Sequence, residues 1–188
     1  MTERFGEGFD AALGAARAGE GWAFERLFAW LGRPVAAYLR GAGTEDPDGS
    51  ANDVFLRAFT TLDRFDGNED RFRSWVFTIA HHLLIDERRR VARRPQRAPL
   101  EAAGTDPGPA AADAAEEALI SLGDERVRAL LAGLAPDQRD VVLLRIVADL
   151  SIEDTAVALG KRPGAVKALQ HRAMRTLRSR VGEEGVSP

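Results

Sequence analysis

Apolar positions recur at three- and four-residue intervals over most of this chain, and this spacing predicts helices. Phe24, Leu27, Phe28, Leu31, Val35 and Leu39 mark one amphipathic helix, and Val54, Phe55, Ala58, Phe59 and Leu62 mark another. Trp75, Val76, Ile79 and Leu83 mark a third, which runs on through Asp86 and ends in arginines at Arg88 to Arg90. A short helix around Phe9 to Arg17 precedes them. Further along, helices are expected over Glu116 to Leu131 and Pro136 to Val147, followed by two more up to about Arg178. Alternation of apolar and polar residues is nowhere sustained, so the fold class is all-α. Pro95, Pro99, Gly104, Pro107, Gly108 and Pro109, set among alanines and acids, break any helix and offer little to bury. The organisation expected is two small helical domains joined by a flexible acidic linker: 1–95, a linker at 96–115, 116–182, and a short tail at 183–188.

The last two helices carry the sharpest signal. Ser151 is placed to cap the first, with Asp154 as its capping-box partner, and Ile152, Thr155, Ala156 and Leu159 form the inner face. Gly160 permits a sharp bend, and Pro163 fits the first turn of the next helix, where its missing N–H is harmless. Val166, Leu169, Ala173 and Leu177 are that helix's buried stripe. This is a helix-turn-helix pattern. The remaining face of the second helix presents Arg162, Lys167, His171, Arg172 and Arg175, with small Gly164, Ala165 and Ala168 between them and no acidic residue, as a helix among phosphates in a major groove requires. A merely solvated basic face is the plain alternative.

At 188 residues and 45% hydrophobic content, the chain can build real cores. The net charge of −3 argues at first against nucleic acid. The average conceals two cationic stretches, from Arg71 to Arg97 and from Lys161 to Arg180, on either side of an anionic middle with Glu101, Asp106, Asp113, Glu116 and Glu117. No apolar run approaches the roughly 20 residues of a bilayer span, and the first residues lack a signal-peptide layout, so a cytoplasmic protein with no membrane contact is expected. With no cysteine, disulfides and thiolate metal sites are excluded within the chain. Adjacent His81 and His82 point about 100° apart on a helix, so no metal site and no cofactor is expected.

The segment Arg64-Phe-Asp-Gly-Asn-Glu-Asp-Arg-Phe72 reads as a loop that presents side chains outward. Stacking or hydrogen bonding to an unpaired base is the chemistry it could supply, with Asn68 and the arginines as the contacts and Phe65 and Phe72 pinned to the core. Trp75 lies on the apolar stripe with Ile79 and Leu83 and is read as a core residue. Asp86 is read as a partner of Arg89 or Arg90 on its own helix.

These residues resemble the extracytoplasmic-function class of bacterial RNA polymerase sigma factors. Asp53-Val-Phe-Leu-Arg-Ala-Phe59, Phe72-Arg-Ser-Trp-Val-Phe-Thr-Ile-Ala80 and Leu84-Ile-Asp-Glu-Arg-Arg-Arg90 look like sigma region two. Leu134-Ala-Pro-Asp-Gln-Arg-Asp-Val-Val-Leu-Leu-Arg145 and the helix-turn-helix look like region four. The resemblance implies a noncatalytic initiation factor that binds core RNA polymerase at the β′ clamp and β flap, and promoter DNA, and that is held by an anti-sigma factor. Region two would open the minus-ten element through Asn68, Arg71, Arg73, His82, Arg88 and Arg89, and region four would read the minus-thirty-five element. Asn52, Asp53, Leu56 and Arg57 are similar to the surface that grips the polymerase clamp, although an ordinary solvated face has the same appearance. Gly49 and Ser50, His81 and His82, and Leu169 and Gln170 depart from the family's common residues.

Two other classes remain for comparison. A free-standing helix-turn-helix regulator leaves the Arg64 to Arg90 pattern unexplained, and an enzyme needs a nucleophile, base or ligand set that the three histidines do not supply. In the resembling family the linker runs through the channel that nascent RNA later occupies. The acidic segment here is either an imitation of the RNA backbone or a soluble tether.

Overall fold

The computed structural model describes residues 4–93 and 125–184, and all regular structure among them is helical. The linker, its acids, the domain boundaries expected at 95–96 and 115–116 and the first part of the helix expected from Glu116 lie outside the described residues. Helix α1 (Phe9–Arg17) leads into α2 (Gly21–Ala42), α3 (Pro47–Thr60), a short turn of 3₁₀ helix (Leu62–Arg64) and the long α4 (Glu69–Arg93). The second half holds α5 (Glu125–Ala132), α6 (Pro136–Ile146), α7 (Ile152–Ala158) and α8 (Pro163–Glu184). The last helix therefore runs two residues into the expected tail.

Local chemistry accounts for the boundaries. Helix α3 begins well before its apolar stripe because Pro47 opens it and the Asp46 carboxylate accepts the Gly49 N–H at 2.9 Å. A Cβ on Gly49 would lie 2.1 Å from that carboxylate, so the departure from the family pattern at this position makes room for the cap. Helix α4 is capped by Asn68, whose side-chain oxygen accepts the Arg71 N–H at 3.1 Å. At α7, Ser151 accepts the Asp154 N–H at 2.9 Å and donates its hydroxyl to the Asp154 carboxylate at 2.6 Å. Gly160 sits at φ 60°, in the left-handed region, and the Lys161 N–H turns back to the Ala156 carbonyl at 2.9 Å.

The two halves do not stand apart. Leu27, Leu31, Val35, Val54, Phe72, Phe77 and Leu84 from the first half form one continuous buried cluster with Leu131, Leu134, Leu143, Leu144 and Ala148 from the second. Helix α2 packs against α6, and α4 packs against α7. This is why the end of α2, from Pro34 to Leu39, is buried on every side rather than along a stripe. Ala36, Ala37 and Gly41 keep that stretch slim enough for helices to approach from several directions. Each buried leucine contributes about 1.5–3 kcal/mol relative to exposure, so this seam carries a large share of the packing energy. A smaller cluster of Val141, Ala156 and Val166 braces the helix-turn-helix itself.

Candidate nucleic-acid and polymerase interfaces

The outer face of α8 is built as its spacing predicts. Val166 and Ala173 are fully buried, Leu169 and Leu177 pack partly, and Arg162, Gly164, Ala165, Lys167, Ala168, His171, Arg172 and Arg175 are all exposed. The result is a cationic face with small residues in its first turns, where a helix can come close to base edges. Lys161, just ahead of it, is tied to Asp137 of α6 at 2.8 Å. His171 lies 3.5 Å from the Arg175 guanidinium, so the two form a local pair on the same face.

The expected minus-ten residues fall in several different settings. Asn68 is exposed in the turn before α4, and Arg71 is exposed in the first turn of that helix rather than in the longer loop expected up to Phe72; this corner is pinned from beneath. Phe65 and Phe72 are buried edge-to-face at 5.3 Å, Trp75 packs on both rings, and the Arg17 guanidinium donates to the Phe65 carbonyl. Asn68 uses its oxygen as the helix cap, which leaves its NH₂ group unused by that cap. Arg89 is exposed near the end of α4 and pairs with Asp86 at 3.7 Å.

Arg73 corrects the sequence reading. Its side chain is only 6% exposed, with the guanidinium over the Trp30 ring at 5.3 Å and 3.7 Å from the Glu69 carboxylate. Glu69 also accepts the Phe5 N–H at 2.7 Å. Arg73 therefore ties the N-terminal segment to the start of α4, and its charge faces protein rather than solvent. His82 is exposed, yet it lines a surface depression with Leu56, Arg57, Thr60 and Ile79. The fold thus groups it with the exposed face of α3, where Asn52, Asp53, Leu56 and Arg57 all lie, rather than with the loop at Asn68.

Arg88 has a different setting. Its guanidinium donates to both carboxylate oxygens of Asp140 on α6, at 2.9 and 3.1 Å, and to the Ala42 carbonyl at 3.1 Å. Burial alone would lower the Arg88 pKa, but the hydrogen bond and charge of Asp140 outweigh it and the net shift is upward. Asp140 is itself buried at 2% exposure. Beside this pair the Tyr38 hydroxyl and His81 Nδ1 lie 3.0 Å apart. Burial pushes the Tyr38 hydroxyl well up and, against the attraction of Asp140, holds His81 below its ordinary value. Arg139 donates to the Leu131 and Ala132 carbonyls at the end of α5, at 2.9 and 3.1 Å. Sequence reasoning missed Asp140, Tyr38 and His81 as a unit. The legible signal was an aspartate four residues before Leu144 and seven before Val147, on the buried side of its helix.

Known proteins supply the family. The model for Sigma-70 region 2 matches residues 28–94, and that for Sigma-70 region 4 matches residues 124–177. The chain is 34% identical over 188 residues to the ECF RNA polymerase sigma factor SigD of Mycobacterium tuberculosis, covering 96% of this chain and 87% of that protein. This chain belongs to the ECF sigma factors. It is also 32% identical over 164 residues to the ECF sigma factor BldN of Streptomyces coelicolor, covering 86% of this chain and 61% of BldN. Among solved structures, CnrH in complex with the cytosolic domain of CnrY is similar with a TM-score of 0.67 and 27% identity, over 96% of this chain and all of CnrH (100%).

As a sigma factor, the chain binds core RNA polymerase and directs promoter recognition and transcription initiation. Region two engages and melts the minus-ten element, and region four reads the minus-thirty-five element. Region two of this sigma factor spans α2 to α4, and region four spans α5 to α8. Among the described residues, no helix is long and apolar enough to cross a membrane, and no group of acids and histidines could hold a metal ion.

Proposed function

We propose that this sigma factor divides its work among three surfaces. The face of α8 from Arg162 to Arg175 reads the minus-thirty-five duplex, with Lys167 and Arg172 as its central cations. Asn68 ahead of α4, with Arg71, Arg88 and Arg89 on that helix, holds the minus-ten element. Asn52, Asp53, Leu56 and Arg57 on α3, joined by His82, grip the clamp coiled coil of the polymerase β′ subunit, while region four meets the β flap. Leu56 at 67% exposure supplies the apolar anchor of that third surface.

The observation that carries this reading is the exposure of eight polar or small positions, Arg162 just ahead of α8 and seven on one side of it, opposite the buried Val166 and Ala173. An anti-sigma factor is a further partner, supported by the likeness to CnrH, which was solved with a domain of CnrY. The setting is the cytoplasm and no catalysis is involved. Lys167→Ala and Arg172→Ala, assayed by run-off transcription and footprinting with core polymerase, test the reading. Protection of the upstream element is expected to weaken in both, and unchanged protection and transcription in both variants would remove the assignment.

A further inference from the structure

Arg4 and Phe5 lie against the start of α4, 66 and 64 positions further along the chain. The Phe5 N–H donates to the Glu69 carboxylate at 2.7 Å, and the Arg4 guanidinium reaches Asp70 at 3.3 Å. The Phe5 ring meets Trp30 edge-on at 5.3 Å, with the Arg26 guanidinium over it at 4.7 Å. Trp30 stacks on Phe72 at 6.2 Å, and Phe72 meets Phe65 at 5.3 Å. A row of rings therefore runs from the N-terminal segment to Phe65 and Phe72, the two residues that flank the turn carrying Asn68. We propose that Phe5, acting through Glu69 and Trp30, is a positioning residue for minus-ten selection: it fixes the start of α4, and with it the direction in which Asn68 and Arg71 face an unpaired base.

Arg73 and Glu69 do not hold this corner by themselves. Among the described residues, Arg73 Nε and Nη2 are buried and make no hydrogen bond, and its contacts to Glu69 and Asp70 are ion pairs of 3.7 and 3.9 Å. The guanidinium keeps its place by lying over Trp30 and beside Glu69, and Phe5 touches both of these residues. Asn68 immediately precedes Glu69 and caps the Arg71 N–H, so a shift of Glu69 carries the capping residue with it. The turn has no slack on its other side, because a Cβ on Gly67 would lie 2.8 Å from the Cβ of Arg71. Hydrogen bonds to a base edge weaken steeply once misaligned, so the tilt of this corner governs selectivity more than overall binding.

This inference rests on the reading of Asn68 and Arg71 as minus-ten contacts, and the test separates the two. Run-off transcription with core polymerase is measured on promoters that differ by one base at each melted minus-ten position. The readout is the ratio of output between the best and the worst base, not total transcript. Phe5→Ala removes the ring and Glu69→Ala the acceptor, and each is expected to lower that ratio about fivefold, the low end of what stacking one base supplies. Phe5→Tyr keeps the ring and should keep the ratio. Val54→Ala removes buried volume from α3, away from the corner, and should lower output on all promoters alike with the ratio at wild type.

An unchanged ratio in either Phe5→Ala or Glu69→Ala, or an equal loss in Val54→Ala, overturns the positioning role. Asn68→Asp keeps an oxygen to cap α4 and removes the NH₂ group, so it tests the base contact itself. If Asn68→Asp combined with Arg71→Ala leaves the ratio unchanged, the minus-ten reading of this corner fails and the positioning role falls with it. If that pair lowers the ratio while Phe5→Ala and Glu69→Ala do not, the positioning role alone falls. Should Phe5→Ala fail to fold, Glu69→Ala decides the matter, and a wild-type ratio there refutes the proposal.

Discussion

The Tyr38 hydroxyl and His81 Nδ1 meet at 3.0 Å inside the seam between α2 and α4, next to the Arg88 and Asp140 pair. Burial holds His81 below its ordinary 6.5, with His82 and Arg88 acting in the same direction and Asp140 and Asp137 opposing. The unfolded chain then binds a proton more readily than the folded one between the lowered value and 6.5. His81 therefore favours the folded state fully above pH 6.5, and this contribution is lost as pH falls through its lowered pKa. Denaturant titrations across that range are expected to show stability falling with acidity. His81→Asn, which keeps a polar group facing Tyr38, should flatten the slope, and an unchanged slope would assign the acid sensitivity to other groups.

Removing one partner of the Arg88 and Asp140 pair costs more than removing both. With Asp140 buried and Arg88 about one-third exposed, Arg88→Met is expected to destabilise by about 3 kcal/mol, the low end for a broken buried pair. The double variant with Asp140→Leu should recover much of this loss. A double-mutant cycle by urea unfolding measures the coupling, and additive losses would mean that the pair contributes nothing beyond its parts.

Arg73 and Arg172 should separate cleanly. Arg73→Ala strips a buried cation from Trp30 and Glu69, so a loss of about 2 kcal/mol in stability is expected, together with loosening of the N-terminal segment at Phe5. Arg172→Ala on the exposed face should change stability by less than about 0.5 kcal/mol while it lowers upstream promoter binding. Thermal unfolding beside footprinting checks both.

The cap of α3 sets the position of the polymerase-facing residues behind it. Asp46→Ala frees the Gly49 N–H and is expected to cost about 1 kcal/mol. Gly49→Ala should displace the same cap, because its Cβ would meet the Asp46 carboxylate, with part of that loss offset by alanine's better helix propensity. Leu56→Ala is expected to leave stability near wild type and to weaken binding of core polymerase in a pull-down, since Leu56 is 67% exposed.

Much of this protein was legible one residue at a time. The stripes of Val166 and Ala173 and of Val54 and Phe55 are local periodicities, and each told which side of its helix turns inward; on α4 the expected Trp75, Ile79 and Leu83 are half-buried, and Phe72, Val76, Ala80 and Leu84 are the buried set. Ser151, Gly160 and Pro163 act within their own turns, so they could be read without knowing what surrounds them. The face of α8 followed by subtraction, because what is left outside an inward stripe must point out.

Arg73, Arg88 and His82 could not be read in this way, because charge along a sequence does not say where the charge ends up. Arg73 lies four residues from Glu69 but is buried by Trp30, a residue of another helix. His82 is separated from Leu56 by 26 positions, and only the packing of α3 on α4 makes them neighbours. The sequence by itself determined the helices, their caps and the cationic outer face of α8, because these depend on contacts within a few residues. Only the tertiary structure decided that the two halves share one core and that Asp140 holds Arg88, because apolar packing is non-directional and a stripe of leucines does not specify which other stripe will cover it.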